Sequence, residues 1–258
     1  MTSRLSAITL NTFREAVRDR VLYNLVLFVL LLVASAPLFS QISIGLEKLM
    51  LVNVGLSSIS LFGVIIAIFV GIGLVSKEIE KKTLYTILSR PVRRWEFIIG
   101  KYLGLLLTLV VNTALMTVGF YLALLIFING LKRADAMLLV AVYFIVLQFM
   151  MMVAITLLFS TFSTPIFSAI FAFALYVIGT FGEDLKNFAA MSHGATKWLA
   201  MGASYIMPNF ASLNVIAQAA HEQNVSSSLI FSNTVYALLY SLAVTVMAVM
   251  IFERRNLK

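Results

Sequence analysis

Apolar runs of about twenty residues recur along this chain, and they limit its possible folds more than any motif does. A helix of that length satisfies its own backbone hydrogen bonds and crosses the hydrocarbon core of a bilayer. The runs predict six spans, at about residues 22–39, 51–75, 98–128, 137–159, 165–181 and 229–252. Charged residues are only 12% of the chain, against about 25% in a soluble domain. The sequence therefore reads as an all-α integral membrane protein, one transmembrane domain over residues 1–258. A formal net charge of +8 could suit nucleic acid, but the cations stand beside apolar runs, as they do at a lipid surface, so the expected partner is the bilayer and not nucleic acid. Without cysteine there are no disulfides and no thiolate metal sites.

The segments between the spans carry the remaining pattern. Residues 1–20 form an amphipathic helix at 100° per residue. Leu5, Ile8, Thr12, Phe13, Ala16 and Val17 gather on one side, and Arg4, Asn11, Arg14 and Arg18 on the other, which suits the headgroup boundary. Ala34-Ser35-Ala36 imitates a signal-peptide cleavage site, but the long charged lead and Pro37 favour a retained span. Glu47 and Lys48 lie in a short polar turn before span two. Along that span Gly63, Ala67 and Gly71 recur every fourth residue, a helix-packing face that admits close approach of another helix, within the subunit or between subunits. The outer-face segment 182–228 is too polar and interrupted to cross a bilayer, and reads as interfacial or re-entrant helices, with Trp198 and Tyr205 at headgroup depth.

Orientation follows from the cations. With six spans, both termini share one side with residues 76–101, and that side holds fourteen of the nineteen Lys and Arg. The other side holds Lys48, Lys132, Arg133, Lys186 and Lys197. The asymmetry places both termini in the cytoplasm. No catalytic constellation accompanies the spans. His193 and His221 stand apart, no paired intramembrane acids occur, and the Met150–Met152 run reads as packing. Gly100-Lys101 looks like the end of a phosphate loop, but Trp95 and Tyr102 replace residues that loop requires. The chain is expected to be no enzyme, and to bind no cofactor or metal. Asn112 and Gln148 are the polar residues within the spans that could mark a pathway, and the threonines at 108, 113 and 117 add a polar stripe beside Asn112.

Residues 76–101 hold seven of the cations between two apolar runs. Glu78 and Glu80 continue span two beyond the membrane, and Thr83 can N-cap a short helix over 84–89 with Leu84, Ile87 and Leu88 on one face. Pro91 stops that helix, Arg93, Arg94 and Trp95 anchor the next span at the headgroups, and Lys101 can snorkel back to them. An apolar face held in front of the membrane calls for a protein partner.

This segment resembles that of the ABC-2 type permeases of ATP-binding-cassette exporters. Their pattern is E-x-E-x-G-T-L, then L-L-x-x-P-V-x-R-x-E, then G-K. The chain has Glu78-Ile79-Glu80-Lys81-Lys82-Thr83-Leu84, then Ile87-Leu88-Ser89-Arg90-Pro91-Val92-Arg93-Arg94-Trp95-Glu96, then Gly100-Lys101. Lys82 departs from the usual glycine, so the break before Thr83 is expected to be less sharp. In look it is closest to the permeases grouped with the nitrous-oxide-reductase maturation transporter. The resemblance implies a multi-pass protein of a prokaryotic cell membrane that works as a dimer, with itself or a related permease, beside two cytoplasmic ATPase subunits that hold the ATP and Mg. The 84–89 helix would be the coupling helix, and Glu78, Glu80, Thr83, Leu84, Tyr85, Ile87, Leu88, Arg90, Pro91, Arg93 and Arg94 the coupling residues. Transport, most simply export, would follow. The alternative within the family is a machine that works mechanically on an outer-face partner and moves no solute. An intramembrane enzyme lacks its catalytic groups here, and a passive channel lacks a filter.

Overall fold

One helix, Met137–Phe162, forms the axis on which the other long helices pack, because it is apolar around most of its circumference and two thirds buried. The computed structural model describes residues 2–17, 27–28, 31, 47–80, 93–128 and 133–254, and every regular element among these is helical. In chain order the helices are α1 (Thr2–Ala16), α2 (Glu47–Glu80), α3 (Arg94–Ile128), α4 (Met137–Phe162), α5 (Pro165–Thr180), α6 (Gly182–Met191), α7 (Ala195–Ile206), α8 (Ile216–Ala220) and α9 (Ser227–Arg254). Short 3₁₀ turns occupy Arg133–Ala136 and Ala211–Leu213. The expected first span, 22–39, lies almost wholly outside the described residues, and so does the expected 84–89 helix.

Among the described residues four helices are long and apolar enough to cross a membrane: α2 over Glu47–Leu74, α3, α4 and α9. At 1.5 Å per residue the 35 residues of α3 reach about 52 Å. That exceeds a hydrocarbon core of about 30 Å, so its ends project beyond the lipid tails. The expected fifth span differs from a straight helix. Pro165 starts α5 where its missing N–H is no loss, but α5 has only 16 residues and meets α6 at 58°. The pair is a broken span or a re-entrant hairpin, so the described residues hold four helices able to cross, or five if the bent pair is one span.

The small residues of α2 set its distance from its neighbours. A Cβ built on Gly71 would lie 2.8 Å from Leu105 Cδ2 and 2.9 Å from Thr156 Cγ2. One built on Gly63 would run into the Phe149 ring, and Ala67 between them is fully buried. The close approach made by this face is therefore with α3 and α4 of the same chain. At the end where α2 begins, Lys48 Nζ lies 2.6 Å from Asp135 Oδ1 and 2.7 Å from Glu222 Oε1. These residues join the start of α2, the turn before α4 and the turn after α8.

Replacing Gly71 by Leu should lower the thermal stability of the detergent-solubilised protein, by roughly 1–3 kcal/mol for overpacking in a tight crossing. A melting midpoint equal to wild type would show that α2 does not pack at this distance.

Candidate functional site

Two places collect polar chemistry, one at each end of the bundle. The first surrounds the start of α3, where the chain returns from residues 81–92. Arg93 begins the helix as its N-cap, and its backbone N–H donates to Glu96 Oε2 at 3.0 Å, one half of a capping box. The Arg94 guanidinium donates to the carbonyls of Phe252 (3.2 Å) and Glu253 (2.9 Å), satisfying carbonyls that the end of α9 leaves without helical partners. Phe97 stacks on Phe252 with ring centroids 5.7 Å apart.

One turn on, α3 receives α1. Gly100 and Gly104 leave the space: a Cβ on Gly100 would sit 2.5 Å from Ile8 Cγ2, and one on Gly104 would sit 2.8 Å from the Thr9 carbonyl oxygen. Between the two glycines, Lys101 is 1% exposed. Its Nζ donates to Glu15 Oε2 at 3.4 Å and lies 5.6 Å from the centre of the Phe97 ring. Lys101 thus does not snorkel to the headgroups. Its ammonium turns inward because α1 covers it with a carboxylate. The apolar side of α1 is likewise not turned to lipid at Ile8 and Thr12, which meet α3, and Ala16 is fully buried. The sequence did contain a signal for this seat, since Gly100 and Gly104 have the four-residue spacing of small residues at a helix crossing.

At the opposite end a cavity of about 150 Å³ lies between α2, α4 and α5 under the segment Phe210–Ile216. Gln148, 6% exposed, points its amide into it, with the oxygen accepting a 3.3 Å hydrogen bond from the Ser60 hydroxyl. Tyr176 and Phe210, centroids 5.6 Å apart, form an aromatic wall. Ser57 and Asn214 stand exposed at the rim. The backbone of the covering segment is fixed by three hydrogen bonds: Phe210 N–H donates to the Gly179 carbonyl at 2.9 Å, Asn209 N–H to the Tyr236 hydroxyl at 2.9 Å, and the Asn233 side-chain amide donates to the Ser212 carbonyl at 2.9 Å.

The sequence matches the family described as ABC-2 family transporter protein over residues 6–257, nearly its whole length. The chain belongs to the ABC-2 transporter family. It is a multi-pass membrane protein and a permease component of an ABC transporter, a family whose members are typically non-catalytic membrane subunits that associate with an ABC ATPase and often dimerise. No curated protein matches this sequence.

In this ABC-2 permease the residues expected to couple to an ATPase are only partly in view. Thr83, Leu84, Tyr85, Ile87, Leu88, Arg90 and Pro91 lie outside the described residues, while the α2 backbone extends through Glu78 to Glu80. Arg93 and Arg94 are described, and Arg94 holds the end of α9 rather than standing free for lipid phosphate. The two candidate pathway residues are not brought together. Asn112 is buried on α3, its amide nitrogen 3.4 Å from Met116 Sδ and its oxygen without a partner among the described residues, and it does not line the cavity that Gln148 enters. The threonines around it donate to the carbonyls of Gly104, Leu109 and Thr113 on their own helix. That stripe is satisfied within α3 and offers a solute little. Among the described residues no group of three His, Cys, Asp or Glu could hold a metal ion.

The Lys101–Glu15 pair predicts an asymmetry between its two partners. Glu15→Gln withdraws a counter-charge from a buried ammonium and should destabilise the solubilised protein by about 1–2 kcal/mol. That is less than the roughly 3–5 of a fully buried pair, because the Glu15 side chain is 37% exposed. Lys101→Met replaces the ammonium by an apolar group of similar length and should be close to neutral. Melting midpoints of both variants check this, and a greater loss in Lys101→Met than in Glu15→Gln would contradict it.

Proposed function

We propose that this chain is the membrane subunit of an exporter driven by ATP hydrolysis on two separate cytoplasmic ATPase subunits. Two permease copies would span a prokaryotic cell membrane with both termini in the cytoplasm and the Lys48–Asp135–Glu222 end outside. The observation that carries the coupling is the convergence of α1 and the end of α9 on residues 93–104, at the start of α3. That segment follows directly on the expected coupling helix, and it grips α1 through Gly100, Lys101 and Gly104 and the end of α9 through Arg94 and Phe97.

The mechanism follows from this arrangement. ATP-driven closure of the ATPases presses on the 84–89 helix, through Leu84, Ile87 and Leu88 in a partner pocket, with Tyr85, Arg90 and Pro91 beside them. A push there reaches α1, α3 and α9 together, and is delivered to the bundle as a rigid-body displacement. The apolar residues supply affinity for the ATPase, and the arginines supply orientation. Transport is favoured over purely mechanical work on an outer partner by the polar cavity beside Gln148, which a mechanical lever would not need.

The double change Leu84→Asp with Leu88→Asp should abolish co-purification of the ATPase or uncouple its hydrolysis. Each anchor is worth about 1–3 kcal/mol, and a charge placed in an apolar pocket costs more than truncation. Membrane insertion should be normal, and wild-type co-purification with wild-type stimulation of hydrolysis would overturn the coupling role. For topology, a reporter fused after Lys258 should read cytoplasmic and one inserted near Asn187 should read external. The same compartment for both would contradict the proposed crossing pattern.

A further inference from the structure

We propose that the cavity beside Gln148 is a binding site for an uncharged head group bearing hydroxyls or amides, an inference that rests on the transport reading because it takes the occupant to be cargo. Among the described residues, none that lines the cavity is charged. The ionic cluster at the start of α2, Lys48 with Asp135 and Glu222, is paired within itself. A phosphate or carboxylate would enter without a counter-ion, and a buried unpaired charge is strongly disfavoured. A purely apolar occupant would leave polar groups unmatched. Gln148 is 6% exposed, and among the described residues only its amide oxygen, held by Ser60, has a hydrogen-bond partner. Among the described residues the Tyr176 hydroxyl has no hydrogen-bond partner either, although its ring packs against Phe210. A neutral group that both donates and accepts hydrogen bonds satisfies these positions, and its apolar faces can lie on the two rings.

Size and depth narrow the occupant further. At about 30 Å³ per liquid water the cavity has room for about five waters, which is a sugar-sized head group and not a whole lipid. Gln148 stands eleven residues into α4, about 17 Å along it. The site therefore reaches from the rim at Ser57 and Asn214 deep into the span. Such a head group could come on an acyl tail or as a free solute.

The test uses the chain's lack of cysteine. Ser57→Cys, at the exposed rim, is labelled with a small uncharged maleimide in the permease–ATPase complex in lipid nanodiscs. Octyl glucoside, glucose and octyl phosphate are the competing probes. Octyl glucoside at ten times its Kd should slow labelling about tenfold by mass action, octyl phosphate should not, and Gln148→Leu should remove the protection. Equal protection by glucose assigns a free solute, and protection by the glucoside alone assigns a tailed one. Both support the site. Tyr176→Phe, which keeps the ring and removes one hydroxyl, should weaken protection and serves where Gln148→Leu does not fold. Protection by octyl phosphate equal to the glucoside, protection that survives both variants, or no protection by any probe overturns the inference. Co-purification and stimulated hydrolysis are read in the same preparations. Intact coupling without protection defeats this site alone, whereas absence of an associated ATPase defeats the transport reading.

Discussion

The seat of α1 on the first two turns of α3 is the contact on which a mechanical role for this protein depends. It exists because Gly100 and Gly104 have no side chains: any Cβ there would meet Ile8, Thr12 or the Thr9 carbonyl at 2.8 Å or less. Lys101, between the glycines, then has no path to water and is held by Glu15 instead. Such a pair adds little net stability, since desolvation offsets most of its attraction. What it does supply is register, because sliding α1 by one turn would part the charges. Arg94 adds a second fixed joint, to carbonyls at the end of α9. Three separated parts of the chain thus become one body just after the residues proposed to meet the ATPase.

The opposite end is tied by different chemistry. Lys48 bridges two carboxylates, and the backbone of the segment over the Gln148 cavity is held by three hydrogen bonds, one to an α5 carbonyl and two to α9 side chains. Between the two ends runs α2, whose glycines bring it against Phe149, Thr156 and Leu105. Interfaces this close are bistable rather than elastic, since a small shift meets a clash before it finds a new packing. A helix so packed can carry a displacement from one end of the protein to the other.

Much of the fold was legible in the sequence, because the length of an apolar run answers to the thickness of a bilayer. The axial helix α4, the Pro165 start of α5 and the amphipathic α1 all followed from pattern. What the pattern could not supply was the partner of each face. Periodicity identified an apolar side of α1 at Ile8 and Thr12 but not that α3 would cover it. Lys101, beside a span end, read as a snorkelling cation for the same reason. Gln148 stood out as an intramembrane amide, yet its partner Ser60 is 88 residues away, and nothing local announces a contact over that distance. The bend of 58° between α5 and α6 was similarly hidden. Hydropathy is scalar, and a break in direction at Phe181 leaves the sum almost unchanged.

A reversible cross-link tests the rigid seating most directly. In this cysteine-free chain, Ile8→Cys with Gly100→Cys puts two thiols across the α1–α3 contact, where the Ile8 Cβ lies 2.8 Å from a Cβ built on Gly100. A disulfide prefers about 3.5–4.5 Å, so the helices need part only slightly to accept it. Permease-stimulated ATP hydrolysis is then measured on the complex before oxidation, after oxidation and after reduction. If α1 and α3 move as one body, oxidation leaves hydrolysis at its pre-oxidation rate. Loss of stimulation on oxidation, restored on reduction, would show that the two helices separate during the cycle and would contradict the rigid joint.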